Sequence, residues 1–227
     1  MIPGEALAKR PLHFIWIVDR SGSMNNDGKI QALNTAIAEA LPHVREIAKD
    51  NPNAEILMRV LSFSSGARWE VSQPTPVDAF VWKPIVADGL TDMGKAFSMV
   101  ADQLHVPPMS GRALPPVLVL LTDGEASDDW QGGLRKLLGE PWGIKAVRLA
   151  IAIGHDCTVD VLKQFIRNVE RPVMQANNPE ALTKFIRFVS TEVIKSASSP
   201  ASQPIDRAMS GNVPVGPPPA VSDDAVW

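Results

Sequence analysis

The chain has 227 residues, a length that fits one domain or a domain with a tail. Its hydrophobic fraction of 45% is that of a protein with a real core, and a net charge of −3 with no basic cluster argues against nucleic acid. One cysteine, Cys157, excludes an internal disulfide and any cysteine-built zinc site, and fits a reducing compartment.

The first apolar run, Leu12–Val18, follows Lys9 and Arg10 and superficially mimics a signal peptide. It is short, contains His13, and ends in Asp19-Arg20 with no small-residue cleavage site, so it reads as a strand. No run approaches the ~18 apolar residues of a membrane span. The expectation is a soluble, cytoplasmic protein without membrane contact.

Four apolar runs read as buried strands: Phe14–Val18, Ile56–Phe63, Val117–Leu121 and Ala146–Ile153. Between them lie amphipathic stretches. Residues 29–49 carry Ile30, Leu33, Ile37, Leu41 and Val44 at helical spacing, with Pro42 as a point where the helix can kink. Residues 92–104, 158–169 and 179–195 also read as helices, the last opening with Asn178 as cap and Pro179 in the first turn. From 56 to 82 the helical signal fails. Ser64-Ser65-Gly66 is a turn, and Ala67–Ser72 returns as the second strand of a hairpin. The expected fold is α/β and doubly wound, with a mostly parallel central sheet, one antiparallel edge strand and helices on both faces. Residues 1–10 read as an extension and 11–195 as the domain.

Residues 196–227 hold six prolines and no periodic apolar pattern. Such a segment buries too little surface to offset its ordering entropy, so it reads as a disordered tail. Its end, Asp223–Trp227, reads either as an uninvolved terminus or as a docking peptide anchored by Trp227.

The chemistry concentrates where strands end. Asp19-Arg20-Ser21-Gly22-Ser23 leaves the first strand in a Gly-containing loop that can aim three oxygens at one point. Thr122-Asp123-Gly124 ends a second buried strand, and Gly89-Leu90-Thr91-Asp92-Met93-Gly94 opens a helix with a loop hydroxyl. Parallel sheets bind ligands at the carboxyl ends of their strands. Oxygen-only donors suit a hard divalent cation such as Mg²⁺, which takes six oxygens and keeps waters readily. Singly, each of these motifs is an ordinary turn.

Together, in this order and context, they resemble the von Willebrand factor A domain and its metal-ion-dependent adhesion site, over about residues 11–195. The resemblance implies direct coordination by Ser21, Ser23 and Thr91. It implies that Asp19 and Asp123 act directly or through water, on Mg²⁺ with Mn²⁺ as the alternative. It also implies a partner protein that supplies an Asp or Glu carboxylate as the last ligand. Arg20 stands where a small or apolar residue is common and is expected to point outward or to pair with a partner carboxylate. Asp92, Glu125, Asp128 and Asp129 make the rim acidic, the last two as caps of the next helix. Trp130 reads as either a contact residue or a packing residue.

Enzyme readings fail on residues. A haloacid-dehalogenase-type phosphatase needs a second Asp where Ser21 stands, and neither a dinucleotide fingerprint nor a P-loop is present. Gly154-His155-Asp156-Cys157 reads as a strand-end loop rather than a nucleophilic pair. His13 and His43 read as structural. The expectation is a non-enzymatic interaction module. The Asp19–Met24 and Val119–Glu125 elements look similar to TerY-like proteins, which implies a tellurite-resistance and stress system with a kinase and a phosphatase. The alternative is a non-catalytic subunit of an ATPase-driven chelatase or MoxR-type chaperone complex.

Overall fold

A computed structural model describes residues 8–155, 157–198, 215–222 and 227. Six strands form one sheet: β1 (Arg10–Asp19), β2 (Ala54–Ser64), β3 (Gly66–Pro76), β4 (Val117–Thr122), β5 (Val147–Ile153) and β6 (Met174–Ala176). Their order is β3-β2-β1-β4-β5-β6, parallel throughout except for β3. Each expected strand is present and one or more residues longer or shorter at its ends. β6 is additional, because three residues carry no pattern.

Among the described residues six α-helices accompany them: α1 (Lys29–Asp50), α2 (Met93–Ala101), α3 (Trp130–Gly139), α4 (Pro141–Lys145), α5 (Val159–Ile166) and α6 (Pro179–Ser198). Alternation along β1 divides the core. Leu12, Phe14, Trp16 and Val18 face α1 and α6, whereas Ile15 and Ile17 join Phe97, Leu120, Leu134 and Phe165 on the face covered by α2, α3 and α5. α1 runs unbroken past Pro42. Its buried stripe, Ile30, Leu33, Ile37, Leu41 and Val44, is held between sheet and α6, which outweighs the lost backbone donor.

Between β3 and α2 the chain crosses the sheet end as an irregular strap. Phe80, Trp82, Ile85 and Ala87 anchor it in the core, and Asn34 of α1 fastens it. The Asn34 carboxamide accepts from Ile85 N at 2.8 Å and from the Trp82 indole at 3.2 Å, and donates to Ile85 O at 2.9 Å.

The C-terminal residues depart from expectation. α6 continues to Ser198, and Val215, Val221 and Trp227 pack against the core face of α1 and α6. Trp227 donates from its backbone to Asn177 O and from its indole to Ala176 O, each at 3.2 Å, while Ser222 O accepts from the Asn178 amide at 3.0 Å. Residues 215–222 and 227, within the segment expected to be a tail, thus rest against the domain. Three apolar side chains and three hydrogen bonds reward ordering that composition alone makes unfavourable. Residues 199–214 and 223–226, and 1–7 of the N-terminal extension, lie outside the described residues. Among the described residues no helix is long and apolar enough to cross a membrane.

Candidate metal centre

β1 has β2 on one side and β4 on the other, so the chain order reverses between β1 and β4. The carboxyl ends of these two strands open a crevice there. Asp19 ends β1, Thr122 ends β4, and Asp123 follows it. All of the sequence-predicted site residues meet at this crevice.

The buried Asp19 carboxylate accepts from Ser21 N through Oδ1 at 2.7 Å and from Thr122 Oγ1 through Oδ2 at 2.5 Å. Ser21 Oγ and Ser23 Oγ lie 3.0 Å apart, and Ser23 donates to Asp123 Oδ1 at 2.7 Å. Thr91 arrives from the loop ahead of α2. A Cβ on Gly124 would lie 3.7 Å from Ser23 Oγ and 3.9 Å from Thr91 Oγ1, so the two hydroxyls flank Gly124. The strap is stitched to the first loop by Gly22 N to Gly89 O at 2.9 Å and Asp88 N to Arg20 O at 2.7 Å. Gly89 sits at φ +79, and a side chain there would strike Ser65, so this approach requires glycine.

Burial, opposed by the Thr122 and Ser21 hydrogen bonds and aided by the nearby Asp123 charge, pushes the Asp19 carboxyl up to about 6. A cation in the crevice would offset that desolvation. Asp123 already has one. Lys29 Nζ lies 2.9 Å from Asp123 Oδ2, and both side chains are buried or nearly so. Sequence reasoning missed Lys29, and only its odd place at a helix start, 94 residues from its partner, hints at it.

The surrounding acids are not all where the sequence put them. Asp129 caps α3, accepting from Gly132 N at 2.9 Å. Asp128 instead caps α2, accepting from Gly94 N at 2.8 Å and Lys95 N at 2.9 Å. Its own helix already has Asp129, and the α2 N-terminus lies directly opposite with no cap of its own. Asp92 binds Gly66 N at 2.7 Å and the Ser127 hydroxyl at 3.0 Å, and Ser127 in turn holds Thr91 N at 3.0 Å. Glu125 accepts from Thr158 at 2.6 Å. Trp130 packs against the core face of α2 and α3. The Arg20 guanidinium turns back to Val86 O at 3.5 Å.

The donor set is oxygen only: two carboxylates and three hydroxyls. Among the described residues no three His, Cys, Asp or Glu side chains cluster for a metal. A soft or imidazole-seeking metal therefore has no set of ligands here, whereas a hard cation finds donors it accepts. Cys157 lies below the crevice, 3.6 Å from Thr122 O. Burial, and then the Asp123 and Asp19 charges, push its thiol up to about 12, so it is no thiolate nucleophile.

No family model matches the chain, and no curated protein matches it in sequence. Solved structures do match. A von Willebrand factor type A protein from Catenulispora acidiphila superposes with TM-score 0.61 at 18% identity, over 81% of this chain and 42% of that one. The ArnB paralog VWA2 from Sulfolobus acidocaldarius gives 0.59 at 17%, over 79% and 45%. Proximal thread matrix protein 1 from the mussel byssus, solved with a zinc-occupied MIDAS motif, gives 0.60 at 17%, over 82% and 48%. The chain thus has the fold of von Willebrand factor A domains, and spans less than half the length of each of these proteins.

Proposed function

We propose that this chain is a non-catalytic protein-interaction module that binds Mg²⁺, or Mn²⁺ in its place, at Asp19, Ser21, Ser23, Thr91 and Asp123. The observation that carries this reading is the convergence of these five side chains from three separate segments on one crevice. The metal would supply Lewis acidity for an incoming carboxylate. The chain's residues supply the rest: hydroxyls that leave the cation electron-poor, and a crevice at the carboxyl ends of β1 and β4. A partner protein's Asp or Glu then completes the coordination. The mussel neighbour's metal-occupied motif supports a divalent ion at this place in the fold. Ser21 and Ser23 bond each other and Asp123 rather than an imidazole, which favours a ligand role over a nucleophilic one. We place the module in the cytoplasm. Its finer assignment, to a TerY-like stress system, rests on the Asp19–Met24 and Val119–Glu125 elements alone.

The test is affinity capture from source-cell extract with Mg²⁺ and with chelator in parallel, alongside Asp19→Ala. A partner lost under both treatments supports metal-bridged recruitment. A partner retained under both assigns recognition to another surface and leaves the metal a structural role. Calorimetry should also rank Mg²⁺ and Mn²⁺ above Ca²⁺, whose larger shell suits this compact donor set poorly.

A further inference from the structure

Lys29 breaks three local rules at once. It is the first residue of α1, where the helix dipole disfavours a cation. The helix it opens has no side-chain cap, because Gly28 at φ +75 stands at the cap position, and no acid occupies its first turn. Its side chain is also nearly buried, a costly place for an ammonium unless it is paired. The fold further clears a path for it. A Cβ on Gly154 would lie 3.2 Å from both Lys29 Cε and Nζ. These features coincide at one contact, that of Nζ with Asp123 Oδ2 at 2.9 Å. The other Asp123 oxygen is taken by Ser23 at 2.7 Å.

We infer that Lys29 is a specificity-determining residue of the cation site, a tethered ammonium that holds Asp123 out of the metal's inner shell. This inference rests on the cation-binding reading above. The ammonium on Oδ2 offsets the Asp123 charge, and with the Ser23 hydroxyl on Oδ1 it anchors the carboxylate in place, so that Asp123 acts on the metal at second hand. The cation is then held by fewer charges than the five side chains suggest. Its affinity for the protein falls, and its demand for an external carboxylate rises. Lys29 thereby makes a carboxylate ligand from outside worth more to the metal than one from within.

The test uses the full chain, with Mn²⁺ as probe and electron paramagnetic resonance in ¹⁷O-water, which reports both affinity and the number of metal-bound waters. Lys29→Met should bind Mn²⁺ at least tenfold more tightly than wild type. It should also lose one bound water as Asp123 moves in. Equal or weaker binding by Lys29→Met overturns the inference while leaving the cation site standing. Tighter binding with an unchanged water count overturns it too, because Lys29 would then act through charge alone. If neither protein binds Mn²⁺, the cation-binding reading itself fails and takes this inference with it. Lys29→Met leaves Asp123 buried without its partner, so metal-free folding is followed by circular dichroism. Should it unfold without metal, Lys29→Gln, which removes the charge but keeps a polar group beside Asp123, takes its place in the same measurement, and the same affinity and water-count outcomes decide.

Discussion

Gly133 of α3 meets Gly94 of α2 backbone to backbone: a Cβ on Gly133 would lie 2.1 Å from the Gly94 carbonyl oxygen. The contact locks the start of α2 against α3, just beyond Thr91. Asp128 and Asp129 complete the lock by capping one helix each. Gly133→Ala must push the helices apart, a small-to-large change that typically costs 1–3 kcal/mol. Denaturant unfolding should show that loss, and Mn²⁺ affinity should fall with it as Thr91 shifts. An unchanged midpoint would mean that the two helices separate freely.

His13 sets a pH dependence. Burial first, and the Arg59 charge second, lower its pKa from 6.5 to about 4. The folded state thus binds this proton more weakly than the unfolded chain. His13 contributes its full stability above about pH 6.5 and loses it as pH falls through about 4. The span corresponds to about 3 kcal/mol. Asp19 runs the other way, its folded value near 6 lying above its ordinary 3.8. Its contribution is fully present below about 3.8 and lost as pH rises through about 6. Comparing wild type with His13→Leu cancels the Asp19 term. The stability difference between the two proteins should shift in favour of His13→Leu by a few kcal/mol from pH 7 to pH 4. A difference independent of pH would show that His13 is not buried neutral.

Among the described residues the buried Arg148 has no acidic partner, and its guanidinium instead gathers carbonyls at helix ends. It donates to Phe165 O at 2.8 Å, Gly143 O at 2.6 Å and Ala146 O at 3.3 Å, joining the negative ends of α4 and α5. Arg148→Met should cost more than 2 kcal/mol in chemical denaturation, because buried acceptors lose charged donors. Arg148→Lys, lacking the planar fork, should recover only part of it. Full recovery by lysine would reduce the role of Arg148 to charge alone.

Truncation after Ser198 removes the packed tail residues. Val215, Val221 and the partly buried Trp227 together justify a loss of about 2 kcal/mol, seen as a lower melting temperature. Trp227→Ala alone should account for about half. A truncated protein as stable as the full chain would show that the tail contributes nothing to the fold.

The strands at the sheet centre were legible because parallel strands covered on both faces must be continuously apolar, as Phe14–Val18 and Val117–Leu121 are. The hairpin was legible from Ser64-Ser65-Gly66. Where the deciding partner is distant in sequence, legibility ended. β6 has only Met174, Gln175 and Ala176 and exists because β5 offers it an edge. Gly132 and Gly133 weaken the helical signal of α3, yet Gly133 is there to admit α2. The positions of Asp19, Ser21, Ser23, Thr91 and Asp123 could be read from motif and strand context. Their wiring could not: Thr122 bonding Asp19 spans 103 residues, and no local pattern encodes it. The seating of Trp227 was not legible for the same reason, since its anchor points, Ala176–Asn178, lie far upstream.

Where Trp227 comes to rest has a practical corollary. A Cβ on Gly154 would lie 4.0 Å from the Trp227 ring and 3.2 Å from Lys29 Nζ, so Trp227 sits at the carboxyl end of β5, beside the crevice. Arg10, by contrast, begins β1 at the opposite end of the sheet, about 30 Å away for a ten-residue strand. A purification tag or surface tether fused after Trp227 would crowd the crevice it was meant to leave open. One placed ahead of Arg10 would present the crevice outward to whatever is passed over it.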